Sequence, residues 1–186
     1  QAYNVSSSKF LQMKWFFTCA IRYGIKYGRV WVSTFYYNKL FVREIQGISI
    51  WLHPYNYRNI SLWKMLRVGG GYGPQNMGIN TFRRVLKTID ASEKIHSKVL
   101  DQKVKPHWTL FLLAVKPGMT KNGIGSSLIL PVLKSADEQS IPIYATVYSP
   151  TIDLLQFYRR HGFDVVEKVE KPSVGPPFYS MIRYSQ

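Results

Sequence analysis

The sequence predicts an α/β protein (α+β in some schemes): a mixed central β-sheet with helices on both faces. Three observations carry this. Trp108 to Val115 (WTLFLLAV) is apolar almost throughout, the pattern of a central strand buried on both faces. Pro117-Gly118 and a Gly-rich polar loop follow, then a helix with Ile124, Leu128, Val132 and Ala136 at a strict spacing of four. A second strand and helix and two closing strands come after it, so sheet and helices alternate along the chain.

At 186 residues the expectation is one domain with a full core. Residues 9–106 form its variable half and 107–186 its motif-bearing half. Hydrophobic residues make up 46% and charged residues 19%, ordinary values for a globular chain. The longest apolar stretch, Phe10 to Ile25, is broken by Lys14 and Arg22 and falls short of the roughly 18 to 20 residues of a membrane span. The start lacks the features of a signal peptide. It opens on Gln1 rather than Met, as in a processed or partial product. Cys19 is the only cysteine, which excludes an intrachain disulfide and a cysteine-based zinc site. No metal is expected, and the setting expected is reducing and cytoplasmic. The net charge of +15 favours anionic partners. The basic residues are spread, with the densest clusters only Arg83-Arg84 and Arg159-Arg160, so a solvated surface is expected rather than a dedicated nucleic-acid face.

In order, residues 1–8 are polar and read as frayed. Phe10, Met13, Phe17, Ile21 and Ile25 mark one face of a helix over Lys9 to Lys26, ended by Gly24 and Gly28. Arg29 to Thr34 and Ile45 to Leu52 read as strands, with a turn at Asn38-Lys39, in a meander of about three segments. Pro54 to Asn59 reads as a loop and Ser61 to Val68 as a short helix. Gly69 to Gly78 (GGGYGPQNMG) reads as a flexible loop or lid. Asn80 to Leu100 is a helix, broken by Lys103 to Pro106. After the central strand, Gly123 to Gln139 is a helix that Pro131 should kink. Ile143 to Tyr148 is a strand. Thr151 to His161 is a helix with Arg159, Arg160 and His161 in its last turn and Gly162 as its stop. Phe163 to Val169 and Phe178 to Tyr184 are the last strands.

The strand–loop–helix of Leu110 to Leu133 supplies free backbone N–H groups and the positive end of a helix dipole, which together make an anion site suited to phosphate. Four ordered motifs over Trp108 to Tyr184 give a resemblance. They are Val115-Lys116-Pro117 closing a strand, the glycine loop Thr120 to Gly125, Phe157-Tyr158-Arg159-Arg160-His161-Gly162-Phe163 on a helix, and a closing hairpin. The chain resembles the GNAT superfamily of acetyl-CoA-dependent N-acetyltransferases. Within it the chain looks most like the puromycin N-acetyltransferase group, through Gly28 to Val32, the strand ending near Trp51, and Gly123 to Pro131. Three departures stand out. Thr120 occupies the family's Gln or Arg, with Lys121 as a neighbouring charge. Thr146 replaces a frequent Glu, and Asp153 is the nearest stand-in for an Asn near the helix start. The chain also begins too late for the family's first strand and helix, so the expectation is a fragment or a sheet edge covered by a second subunit, as in a homodimer.

The resemblance implies acetyl-CoA as co-substrate. Its pyrophosphate would lie on Thr120, Lys121, Asn122, Gly123, Ile124, Gly125 and Ser126, with Asp153 nearby. The pantetheine arm would pair with Leu113, Ala114 and Val115, and an N–H near Val115 would face the oxyanion. Tyr158 is the implied general acid toward the CoA sulfur. His107 and His53 are the candidate bases; Trp51, Trp63 and Tyr72 are candidate linings of the acceptor pocket. His161 has a sufficient role at its helix terminus, and His96 has no supporting context. The function expected is acetylation of a small-molecule primary amine. The alternatives are a protein or peptide N-acetyltransferase, or a basic protein that binds CoA or nucleic acid without turnover.

Overall fold

A computed structural model describes residues 7–36, 43–54, 62–101, 106–170, 172 and 175–185. The expected turn at Asn38-Lys39, the loop over 55–59, the break at 103–105 and the fraying of residues 1–6 lie outside these. Helix α1 (Ser7–Tyr27) leads into the antiparallel pair β1 (Gly28–Tyr36) and β2 (Arg43–Leu52). Next come α2 (Leu62–Arg67), a 3₁₀ turn at Gly70–Tyr72, α3 (Gly73–Met77) and the long α4 (Ile79–Asp101). The rest is β3 (Trp108–Val115), α5 (Ile124–Glu138), β4 (Ile143–Tyr148), α6 (Ile152–Arg160), β5 (Asp164–Val169) and β6 (Phe178–Arg183). The six strands form one sheet in the order β1-β2-β3-β4-β6-β5. Only β3 and β4 run parallel; every other neighbouring pair is antiparallel. The mixed α/β architecture is therefore the one expected, with β3 inside the sheet.

Three details differ from expectation. The meander of about three segments is two long strands among the described residues, because Phe35 and Tyr36 continue β1 rather than starting a segment of their own. Gly69 to Gly78 is helical rather than an open lid. Gly73 lies under the ring of Phe82, where a Cβ would overlap the ring, so this glycine lets α3 close on α4. Gly24 lies inside α1 and does not end it. A Cβ there would overlap Ile50 Cγ2, so the residue is small in order to seat α1 on β2. Helix α5 continues through Pro131, which is exposed, so the hydrogen bond that proline removes falls on the solvent side.

The main core lies between the sheet and α5 and α6. Trp51, Trp108, Ile129, Phe163 and Met181 are at most 1% exposed there. Gly47 of β2 lets α5 come close: a Cβ at this position would stand 2.8 Å from Leu128 Cδ1. On β6, Arg183 is buried and donates to both carboxylate oxygens of Asp137 on α5, at 2.6 and 2.7 Å. It also donates to the His161 carbonyl at 2.9 Å, tying β6 to the ends of α5 and α6. On the opposite face α4 covers Tyr144 and Ile182 through Leu100. Among the described residues no helix is long and apolar enough to cross a membrane.

Candidate active site

β3 and β4 begin side by side and then part. Their pairing covers only Trp108 with Ile143, Thr109 with Tyr144, and Leu110 with Ala145, although β3 continues to Val115 and β4 to Tyr148. A bulge marks the point of divergence. Against β2, Ile50 pairs with Leu112 and Trp51 with Leu110, which leaves Phe111 as an extra residue. The expectation that β3 is buried on both faces holds only for its first half. Past the bulge no residue of β3 is fully buried and Ala114 is exposed, because β4 has moved away. Leu113, Ala114 and Val115 thus lie along an open edge.

Both strands point the same way, so α5 and α6 start beyond the same open end. Gly123 caps α5 in the left-handed conformation, φ 77°, and no side chain claims the first N–H groups of the helix. These belong to Ile124, Gly125 and Ser126. The loop residues Thr120, Lys121, Asn122 and Gly123 are all exposed. Gly125 lets the helix start approach α6, since a Cβ would stand 3.2 Å from Phe157 Cε2. Lys121 Nζ reaches Asp153 Oδ2 in the first turn of α6 at 3.0 Å, so the structure brings together two residues that sequence linked only by role. Thr151 caps α6 by accepting from the Leu154 N–H at 3.2 Å. The result is a loop and a helix N-terminus, rich in backbone donors, at the mouth of the splay.

Tyr158 lies on the α6 side of the sheet, 6% exposed, in one cluster with Leu110 and Ala145 and with Leu113 packed against it. Its ring meets Phe157 and Phe163 edge-on. Burial pushes its phenol up to about 12, so the proton is held firmly at physiological pH.

The two histidines proposed as bases lie elsewhere. His107 is 1% exposed, and burial, with a smaller contribution from His96, lowers it to about 3. Its Nε2 is 2.9 Å from His96 Nε2. His53 packs edge-on to Trp108, and burial followed by Arg29 lowers its pKa. Neither lines the cavity described next.

That cavity, of about 330 Å³, opens on the α1 and α4 face of the splay. Four consecutive residues of β3, Thr109, Leu110, Phe111 and Leu112, line it, with the bulge at Phe111 among them. Phe16, Phe17 and Tyr23 of α1 form the opposite wall. Trp51 is in the core, while Trp63 and Tyr72 are 76% and 63% exposed, and none of the three reaches the cavity. Most of the polar lining comes from α4 and β4, as Ser92, Glu93, His96, Tyr144, Thr146 and Tyr148, with Thr109 of β3 beside them. The α4 residues were missed from sequence, His96 included. The signal was present, since Ile89, Ser92, Glu93 and His96 follow the helical spacing of the apolar face and place polar groups on it. Thr146 donates to the Tyr144 oxygen at 3.2 Å, and the Tyr144 and Ser180 hydroxyls bond at 2.8 Å.

Residues 92–163 match the sequence profile of the Acetyltransferase (GNAT) family. Among solved structures, the chain is similar to a histone acetyltransferase HPA2 and related acetyltransferase from Corynebacterium glutamicum ATCC 13032. The identity is 16%, covering 97% of this chain and 84% of that one, with a TM-score of 0.55. It is also similar to the ribosomal-protein-S18-alanine N-acetyltransferase from Escherichia coli, at 12% identity over 85% of this chain and 71% of that one, TM-score 0.44. Ard1 from Thermoplasma volcanium matches at 23% identity over 43% of this chain, TM-score 0.38; that match spans about half of its length, 55%. The six-stranded mixed sheet is thus the GNAT fold.

Proposed function

We propose that this chain, with the GNAT fold and its acetyltransferase segment at residues 92–163, moves an acetyl group from acetyl-CoA to a primary amine of a small molecule by direct attack in a ternary complex. Acetyl-CoA is the co-substrate typical of the family. The single observation that supports the reading best is the splay of β3 from β4 after Leu110, with the donor-rich loop and the α5 start at its open end. The loop and the N–H groups of Ile124, Gly125 and Ser126 would hold the pyrophosphate, with Lys121 adding charge. The free edge of Leu113, Ala114 and Val115 would take the pantetheine amides as an added strand. An N–H of this edge near Val115 would polarise the thioester carbonyl. The amine nitrogen then bonds the acetyl carbon, the C–S bond breaks, and the thiolate takes the proton of Tyr158. An amine that arrives as ammonium gives up one proton before it attacks, and the neutral amine loses one more as the amide forms. His107 and His53 stay sequence candidates for receiving these through water, although neither reaches the cavity. A cavity of about 330 Å³ suits a small acceptor better than an extended peptide. Puromycin itself is the acceptor that the subgroup likeness points to.

β1, an edge strand exposing Trp31, Val32 and Phe35, is the surface we assign to a second copy of the chain. A monomeric mass by sedimentation at high concentration would remove that assignment.

The test of the function is calorimetry with acetyl-CoA, followed by thiol release over an amine panel that includes puromycin. Saturable binding and release with at least one small amine are expected. No binding, or acetylation of peptides alone by mass spectrometry, would overturn the reading.

A further inference from the structure

Glu93 is the acidic residue in the cavity lining, and among the described residues no lysine or arginine pairs with it. Its Oε2 is shut off from solvent and takes no hydrogen bond among the described residues. His96 Nδ1 stands 3.6 Å from it, beyond hydrogen-bond distance. The other nitrogen of that ring already meets His107. The sequence holds 25 Lys and Arg, yet among the described residues none pairs with this carboxylate. A desolvated carboxylate oxygen with no donor is costly. The hydroxyls around it do not answer it: Ser92 Oγ donates to the Ile89 carbonyl, the Tyr148 hydroxyl pairs with Ser92, and Thr146 and Tyr144 bond one another. The only other lining side-chain atom without a partner among the described residues is Thr109 Oγ1. The remaining wall is hydrocarbon and aromatic ring, from Phe16, Phe17, Ile89, Phe111 and Leu112.

We propose that the cavity takes an apolar primary monoamine, an arylalkyl or alkyl amine with one cationic nitrogen and no other charge, and that Glu93 receives its ammonium. As the acceptor site of acetyl transfer, this rests on the function proposed above; as a binding site, it stands by itself. A primary amine is cationic at neutral pH and brings the donors that Glu93 lacks. Its apolar body matches the wall. A polyamine would bury further ammonium groups with no carboxylate to meet them, in a chain already at +15. An amino acid would set its own carboxylate beside Glu93, and the lining offers no lysine or arginine to receive it.

The experiment titrates the full chain with 2-phenylethylamine, spermidine and phenylalanine, without cofactor, by calorimetry. Saturable binding is expected for 2-phenylethylamine alone. Glu93→Gln should weaken it by about tenfold or more, with Glu93→Asp recovering part of the loss. Glu93→Gln should also keep acetyl-CoA affinity and melt no lower than the parent, because the Oε2 shut off from solvent has no donor among the described residues and the side chain is otherwise partly exposed, at 23%. In thiol-release assays KM for 2-phenylethylamine should rise by a similar factor, with kcat changed less. Equal binding by parent and Glu93→Gln, a lower melting temperature for that variant, or preference for spermidine or phenylalanine would overturn the proposal. Loss of acetyl-CoA binding in the parent would instead remove the acetyltransferase reading, and the amine titration would still decide this one.

Discussion

Tyr158 and His107 carry pKa shifts whose common first cause is burial, and the shifts have opposite consequences. Tyr158 is pushed up to about 12, so its phenol stays protonated across the working range, as the proposed general acid must. Tyr158→Phe should lower turnover by roughly a hundredfold or more with acetyl-CoA affinity kept. In the parent, the pH profile should show no alkaline decline from this group below about pH 11. An unchanged turnover in the variant would remove the assignment. His107 is pushed the other way, to about 3 from an ordinary value of 6.5. The unfolded chain then binds the extra proton first. Stability from this residue is whole above pH 6.5 and is lost as pH falls toward 3, by about 2 kcal/mol at pH 5. Urea unfolding at pH 7 and pH 5 measures it. His107→Asn should flatten that slope whatever it does to stability at pH 7, and an equally steep slope in the variant would discard the account.

Packing between elements depends on positions where the chain is small. α1 sits on β2 because Gly24 presents no Cβ to Ile50. Gly24→Ala should therefore destabilise by about 1 to 3 kcal/mol, even though alanine is the better helix former. A rise in melting temperature would show that propensity outweighs the close contact. This is also where sequence reading reached its limit. A helix interior glycine that serves packing looks the same in one dimension as a helix stop. β3, α5, β4 and α6 were legible because apolar period, Gly123, Thr151 and Gly162 all agree locally. The bulge at Phe111 was not, since an extra residue exists only relative to a partner strand. The cavity lining on α4 was half legible: Ser92, Glu93 and His96 interrupt the apolar stripe, but their reason appears only when β4 brings Tyr144 and Thr146 opposite them.

For the whole molecule, the +15 charge and the exposed pair Lys121–Asp153 would set how the proposed polyanionic co-substrate is met. Thr120 adds no charge to the loop, so much of the attraction is long-range and screened. Acetyl-CoA affinity should fall several-fold between low salt and about 0.5 M salt, and a flat calorimetric response would contradict this. The sheet itself consists of two half-sheets, β1-β2-β3 and β4-β6-β5, stitched by three residue pairs. A pantetheine arm lying along Leu113 to Val115 would act as the missing seam. In that case the donor substrate is a component of the architecture as well as of the reaction, and each catalytic cycle, by releasing CoA, reopens the join. Amide hydrogen exchange should then slow along Leu112 to Val115 when acetyl-CoA binds, while β5 and β6 barely change, and the melting temperature should climb with its concentration. An enzyme built this way is at its most fragile between turnovers, and its lifetime would follow the supply of its donor.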